Sequence, residues 1–371
     1  MQQKKVSGIG AAADDHLEKH FFKRLGKFSG VKRFVAGWLG LIAVALIALF
    51  MQTSALQDKY QSRQPVEGGN FIEGMVGNYS NANPIYASNS VDVSVSRLVF
   101  SGLFTYDDNN NLVPELAESL AMDKSEKVYT VKLKRNLSWH DGRALTSQDV
   151  VFTYNTIQNP DAKSPLASGW RGVNVEAVDE YTVKFTLPGA LSSFPHSLTN
   201  GLLPKHLLEK VKPEQLRSSD FNTSRPVGSG PFKMDAVEVD QTEESKQERV
   251  GLVGFKNYVG GEPRLNRYII RTFASQEDME KAFGQRDIVA MSGGQALPDS
   301  LAGDEATREF SLPLAGQVMV FFRTSQKPLD SSDVRKALTL GVDKKAVLNS
   351  VGYQLVASNS PLLKFQAGYN P

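Results

Sequence analysis

Residues 128–155 read VYTVKLKRNLSWHDGRALTSQDVVFTYN. The first half of this stretch alternates apolar and polar side chains with period two, which is typical of a half-buried strand. The tetrapeptide WHDG at 139–142 then supplies turn residues. A helix is predicted over 147–158, because Thr146 and Asp149 have the spacing of a capping box in its acidic variant. A strand, a turn and an amphipathic helix therefore follow one another directly.

Similar patterns continue on both sides of this stretch. The segment YTVKFTL at 181–187 again alternates with period two and predicts a second strand. Further helices are predicted at 90–101, 204–210 and 332–341. No internal repeat is visible, and 371 residues exceed the ~250–300 at which a single core stops growing. The sequence thus predicts a mixed α and β protein with more than one domain.

The charge is unevenly distributed along the chain. Residues 1–33 contain eight Lys or Arg against three Asp or Glu, so the rest is slightly acidic although the whole chain carries +2. An acidic body without a basic stripe argues against nucleic-acid binding. The absence of cysteine excludes disulfides, thiolate metal sites and a lipid-modified N-terminal cysteine.

A transmembrane segment is predicted at 34–51, where FVAGWLGLIAVALIALFM runs for 18 residues without a charge. Basic residues lie just before it, and the first charges after it are Asp58 and Lys59. The positive-inside rule places the N-terminus in the cytoplasm. A buried core helix is the alternative, but uninterrupted apolarity behind a basic flank favours a span.

We expect this segment to be an uncleaved signal anchor. Thr53 and Ala55 are suitably placed for cleavage, but the apolar run exceeds the ~7–15 residues of a usual signal peptide. The predicted order is a cytoplasmic basic arm (1–33), the anchor (34–51), a polar tether (52–67) and an extracytoplasmic body from Gly68 onward. The body would belong to a single-pass protein of the cell membrane.

The usual signatures of enzyme chemistry are missing from the sequence. His140, His196 and His206 form no HExxH or other close ligand spacing, and no GxSxG elbow occurs. The only SxxK begins at Ser29, on the cytoplasmic side, and GSGP at 228–231 is better interpreted as a turn than as a phosphate loop. We therefore predict no catalytic residue, no metal and no cofactor. A membrane-anchored envelope enzyme such as a hydrolase stays open as the competing class.

Several blocks resemble one known family. RLVFSGLFTYDDNNNLVPELAESL at 97–120 and the 128–155 stretch, with WHDG followed by TxxDVVFT, are similar to the family 5 extracellular solute-binding proteins. This family includes the dipeptide-, oligopeptide- and nickel-binding components of ABC importers. Further similar blocks are NPDAKSPLAS (159–168), PVGSGPFK (226–233), FKNYVGGEPRLNRYIIR (255–271) and PLDSSDVRKALTLGVDKKAVL (328–348).

The resemblance implies a fold. Such proteins have an α/β, periplasmic-binding-protein-like architecture of type II, with two hinged lobes and an inserted extra domain. By that pattern 68–100 and 226–292 form a discontinuous lobe I, 101–225 the insert and 293–371 a partial lobe II. Family members continue beyond the position of Pro371, so the second lobe is expected to be incomplete. The residue that binds a peptide's amino terminus would then lie beyond Pro371.

The resemblance also implies a function and a site. A di- or oligopeptide would be captured between the lobes and delivered to ABC permease subunits by a monomeric protein. Ser88, Asn89 and Ser90 would border the ligand, since small polar residues suit pairing with a peptide backbone. Weaker candidates are Ser168, Trp170, Ser292, Gly293 and Gly294. For each of these residues an ordinary loop role stays open. Nickel complexes, opines and oligosaccharides stay open as ligands, and so does a degenerate receptor that imports nothing.

Overall fold

The computed structural model describes residues 32–60, 66–241, 246–293, 298, 301, 306–310, 319–351 and 360. By its internal contacts the chain divides into two compact units, 1–66 and 67–371. The first contains one described helix, and the second, called the body below, contains the sheets. Each is described by itself.

Helix α1 spans Lys32–Tyr60. Its segment Phe34–Thr53 has a mean hydropathy of 2.5 and is exposed throughout. Within the described residues it is the one helix long and apolar enough to cross a membrane. The helix also includes the first nine residues of the predicted tether, because no proline interrupts the chain before Pro65.

The body alternates short helices with strands. In chain order its elements are β1 (Asn70–Val76), α2 (Ser90–Val99), β2 (Phe104–Tyr106), β3 (Leu112–Pro114), β4 (Ala117–Met122), β5 (Val128–Leu133), α3 (Ser147–Gln158), α4 (Ala167–Trp170), β6 (Asn174–Asp179), β7 (Thr182–Thr186), α5 (Lys205–Leu208), α6 (Pro213–Leu216), β8 (Phe232–Gln241), β9 (Lys246–Gly254), β10 (Arg267–Phe273), α7 (Gln276–Gly284), β11 (Ala290–Ser292), α8 (Ser332–Gly341) and α9 (Lys344–Ser350). Short 3-10 turns lie at 160–162, 194–199 and 220–222. This content confirms the predicted mixed α/β fold.

A five-stranded sheet has the strand order β11-β1-β10-β9-β8. The interior strand β1 is parallel to both of its neighbours, whereas β9 is antiparallel to β10 and β8. Met75 and Ile270 face the main core on one side of the sheet, together with Val91 and Val95 of α2. On the other side, α7 contributes to a separate small cluster around Phe273. The sheet is therefore covered on both faces near β1.

A second, four-stranded antiparallel sheet has the order β4-β5-β7-β6. Its strands come from 117–186, whereas those of the five-stranded sheet come from 70–76 and 232–292. Helix α3 packs against this second sheet and begins with the predicted capping box, in which the Thr146 amide donates to the Asp149 carboxylate at 2.9 Å. Apolar residues of both sheets belong to one core. The boundaries of the lobes and the insert remain predictions.

Candidate functional site

The carboxyl ends of β1 and β11 lie together at one edge of the five-stranded sheet. The two strands are parallel neighbours, and Met75 lies opposite Ser292. The chain therefore leaves both strands at the same edge, into residues 77–89 after β1 and Gly293 after β11. In open α/β sheets ligands bind outside the carboxyl ends of strands. We call residues 77–87 the β1 loop and Ser88–Ser90 the rim.

The rim lies at the start of α2. Ser88, Asn89 and Ser90 are all exposed. Asn89 is the N-cap of the helix, and its side-chain oxygen accepts a hydrogen bond from the backbone amide of Asp92 at 2.8 Å. The cap satisfies one of the free amides at the helix start and fixes the direction in which the chain enters. The rim is thus accessible and conformationally defined.

The buried side chain of Asp92, on α2, holds the β1 loop against that helix through hydrogen bonds. Asp92 has 2% of its surface exposed. The carboxylate accepts hydrogen bonds from the amides of Ser80 and Asn81 at 2.8 and 3.0 Å, and from the Ser80 hydroxyl at 2.6 Å. It also accepts from the side-chain amide of Asn89 at 2.7 Å. Four donors therefore stabilise the buried carboxylate and are fixed by it.

A second buried carboxylate holds the same loop from the sheet. Glu248 of β9 is 3% exposed and accepts a hydrogen bond from the Tyr79 amide at 2.6 Å. The Tyr79 hydroxyl donates to the carbonyl of Thr223 at 2.7 Å. Burial raises the pKa of Tyr79, and the negative charges of Asp92 and Glu248 raise it further. Tyr79 therefore remains a neutral hydrogen-bond donor.

An amide pair ties the loop to residues 216–222. Asn83 is completely buried, and its side-chain nitrogen donates to the side-chain oxygen of Asn222 at 2.9 Å. Asn222 in turn donates to the Leu216 carbonyl at 2.7 Å. Moving the loop would leave buried amides without partners, at about 1–3 kcal/mol each. The β1 loop is therefore held in one conformation.

Two hydrogen bonds connect the β1 loop to the segment that carries Ser168. The Tyr86 hydroxyl donates to the Ala162 carbonyl at 2.8 Å, and the Ser164 hydroxyl donates to the Ile85 carbonyl at 2.8 Å. Ser168 itself is exposed on α4. These bonds connect the segment that precedes Ser88–Ser90 to the segment that precedes Ser168.

Trp170 lies in the core of the body. It is 4% exposed, and its ring stacks on that of Tyr154 with centroids 4.0 Å apart. Phe185 and Phe194 lie within 6.2 and 5.6 Å of it. This geometry favours a packing role, so we leave Trp170 out of the proposed site.

The remaining predicted residues lie at the end of β11 and directly after it. The Ser292 hydroxyl donates to the carboxylate of Glu73 on β1, and Tyr268 on β10 donates to the same carboxylate at 2.6 Å. Burial raises the pKa of Tyr268, as does its hydrogen bond to Glu73. Gly293 is exposed with φ of +83°, a conformation that favours glycine. Gly294 lies outside the described residues.

His140 connects the WHDG turn to the GSGP turn. Its Nδ1 accepts a hydrogen bond from the Gly228 amide at 3.2 Å, so its Nε2 carries the proton and donates to the Gly230 carbonyl at 3.0 Å. Burial lowers the pKa of His140 to about 4. Both ring nitrogens are thus used to hold the backbone. Among the described residues, no three His, Asp or Glu side chains are grouped to hold a metal ion.

Several solved structures of bacterial binding proteins share this fold. The structure of AppA from Bacillus subtilis with a nonapeptide has a TM-score of 0.55 and 28% identity, covering 61% of this chain and 44% of AppA. CtaP from Listeria monocytogenes, an ABC transporter substrate-binding protein, has a TM-score of 0.53 and 37% identity over 60% of this chain and 44% of CtaP. NikZ from Campylobacter jejuni with Ni(L-His) has a TM-score of 0.58 and 26% identity over 76% and 55%. The body therefore has a solute-binding fold.

The family assignment follows from the sequence comparison. The model of the bacterial extracellular solute-binding proteins, family 5 middle, matches residues 111–371. The chain belongs to this family, which confirms the resemblance found in its sequence blocks. The oligopeptide-binding protein AppA of Bacillus subtilis is 26% identical over 339 residues, or 86% of this chain and 60% of AppA. The chain thus spans about 60% of the length of this relative.

Proposed function

We propose that this chain is the substrate-binding component of a peptide ABC importer, capturing di- or oligopeptides and delivering them to a membrane permease. The observation that carries the proposal is the rim, three exposed polar residues of which Asn89 is held by the buried Asp92. Family membership and similarity to AppA, whose structure contains a nonapeptide, support the same function.

A rim fixed in advance favours peptide capture. Ordering a loop on binding would lower affinity, whereas a loop already held by buried hydrogen bonds avoids that loss. Exposed serine and asparagine groups can pair with a peptide backbone, which every peptide shares. Binding that depends on the backbone would tolerate many side-chain sequences. This fits a nutrient-capture protein better than a receptor for one ligand.

We further propose that the body acts outside the cell and remains attached by α1. The family is extracellular, and the exposed apolar surface of Phe34–Thr53 suits a lipid environment. Basic residues before the helix favour a cytoplasmic N-terminus. In this arrangement a monomer would stay close to its permease partner.

The proposed function involves binding without chemistry. The family consists of solute-binding proteins, and His140 is engaged by two backbone groups instead of facing a ligand. Peptides should therefore be recovered intact after binding. An envelope hydrolase would instead release shortened products.

The test uses the full-length chain in lipid nanodiscs and a pool of random-sequence nonapeptides. Retained peptides are measured by mass spectrometry against empty nanodiscs. Ser88→Arg should abolish peptide retention by placing a bulky charge on the rim. Ser119→Arg, at an exposed position on β4, should bind peptides as wild type does. Addition of Ni(L-His) as a competitor tests the alternative ligand. No retention above the empty nanodiscs, or equal retention by Ser88→Arg, would refute the proposed function.

A further inference from the structure

We infer that Asp92 is a positioning residue that sets peptide affinity by fixing the orientation of Asn89 on the rim. The inference rests on the proposed function. Asp92 itself is buried and cannot touch a ligand, since 2% of its surface is exposed. Its effect would be transmitted through the residues that it holds.

The contact between Asp92 and Asn89 is reciprocal. The Asn89 side-chain oxygen accepts from the Asp92 amide at 2.8 Å, and the Asn89 side-chain nitrogen donates to the Asp92 carboxylate at 2.7 Å. These two bonds distinguish the two ends of the Asn89 amide. A flipped amide would turn a donor toward the Asp92 amide and lose both bonds.

The same carboxylate reaches beyond the helix. It accepts from the backbone amides of Ser80 and Asn81, twelve and eleven residues earlier in the chain. An ordinary capping interaction satisfies only the helix start. Asp92 additionally closes the β1 loop onto the rim, so one side chain fixes both parts of the candidate site.

A carboxylate is required because every partner is a donor. Asp92→Asn would keep the size of the side chain but replace one acceptor with an NH₂ group. That group would face the NH₂ of Asn89, and two donors cannot pair. Asn89 would then rotate away or flip, and the β1 loop would lose part of its support.

A matched control exists on α7. Asp278 occupies the third position of its helix, as Asp92 does, and its carboxylate accepts from the N-cap hydroxyl of Ser275 at 2.6 Å. Asp278 is exposed, and α7 packs on the opposite face of the sheet from α2. Asp278→Asn therefore repeats the chemical change in a helix cap on the opposite face of the same sheet, where the carboxylate bonds to Ser275 instead of to Asn89 and the β1 loop.

The experiment compares wild type, Asp92→Asn, Asp278→Asn and the exchanged pair Asn89→Asp with Asp92→Asn. In the exchanged pair the carboxylate and the amide trade places, so the donor at position 92 again faces an acceptor at position 89. All are full-length chains in nanodiscs, studied at a temperature where every variant is folded. Affinity is measured with the random nonapeptide pool, and amide hydrogen exchange is followed at Ser80 and Asn81 without peptide.

We expect Asp92→Asn to weaken peptide binding about tenfold, which corresponds to about 1.4 kcal/mol, and to accelerate exchange at Ser80 and Asn81. The exchanged pair should restore slow hydrogen exchange at Ser80 and Asn81, because residue 92 again has a complementary partner at position 89. Asp278→Asn should leave both affinity and hydrogen exchange unchanged. If wild type binds peptides and Asp92→Asn binds them equally well, this inference is overturned while the proposed function stands. If wild type binds no peptide, both are overturned.

Discussion

His140 should make the stability of the body depend on pH. Its two ring nitrogens hold the Gly228 amide and the Gly230 carbonyl, and both glycines are buried. Protonation would place a proton on Nδ1, where the Gly228 amide already points its own hydrogen. Burial accordingly lowers the pKa of His140 to about 4, against an ordinary value of 6.5.

The direction of this pH dependence follows from the difference in proton binding between the folded and the unfolded chain. Between pH 6.5 and 4 the unfolded chain binds a proton at His140 and the folded chain does not, so acid favours unfolding. This contribution to stability is fully present above pH 6.5 and is lost as the pH falls toward 4. The difference between the two pKa values corresponds to about 3 kcal/mol.

The perturbation is His140→Phe, which keeps a ring against Phe255, whose centroid lies 4.8 Å away. At pH 7 it leaves two buried backbone groups without partners, at about 1–3 kcal/mol each, so we expect a loss of about 2–5 kcal/mol. As the pH falls to 4, wild type should lose its advantage and the two stability curves should converge. Burial raises the pKa of Glu115 and of Asp149, but both groups are present in both proteins and largely cancel in the difference.

The assay is urea unfolding of the full-length chain in detergent, followed by tryptophan fluorescence from pH 4 to 8. His196→Phe removes an exposed imidazole that bonds to Tyr106 and serves as the control. At pH 7 it should lower the free energy of unfolding by less than His140→Phe does, because the imidazole that it removes is exposed. Parallel curves for wild type and His140→Phe would refute this account of His140.

Three further predictions can be tested separately. Gly228→Ala should lower the free energy of unfolding of the body by about 3 kcal/mol, because the added Cβ would overlap the carbonyl of Val99. Gly169→Ala is the control, because the Cβ added there would meet no atom within 4 Å, and equal unfolding midpoints for the two variants would contradict the prediction. Trp170→Ala should lower the free energy of unfolding by about 4 kcal/mol through loss of the stack on Tyr154, and an effect within ~0.5 kcal/mol would instead indicate a surface role. External protease on intact cells should remove the body and spare residues 1–33; a soluble mature chain starting near Leu56 would rule out the anchor.

Local signals in the sequence predicted individual elements well. The helix predicted over 147–158 has the same bounds as α3, because its capping box and apolar face are both encoded within twelve residues. The helix predicted at 90–101 ends two residues earlier, as Phe100 takes an extended conformation and donates its amide to Ser96. Helix starts depend on side chains that are visible in the sequence, whereas this end depends on where the next strand has to pack.

The long-range hydrogen bonds that hold the candidate site in place could not be predicted from local sequence patterns. Glu248 holds Tyr79 from 169 residues away, and Asn222 holds Asn83 from 139 residues away. No local pattern indicates such partners. The contact of Asp92 with Asn89 could have been predicted, because the two residues have the three-residue spacing of a capping box. Trp170 was assigned to the site by resemblance alone, and its core role depends on Tyr154, Phe185 and Phe194 from three separate segments.

The interior position of β1 in the five-stranded sheet has a consequence for how the protein is made. β1 is the first strand of the body to be synthesised, yet its two neighbours, β10 and β11, begin about 200 residues later. During synthesis and export the four-stranded sheet can form while β1 still has two open edges. Open strand edges invite pairing with other chains, and late, non-local pairing slows folding. Until residue 292 has been synthesised, β1 must therefore be kept from pairing with the wrong partner, which makes synthesis a stage at which this protein is exposed to aggregation.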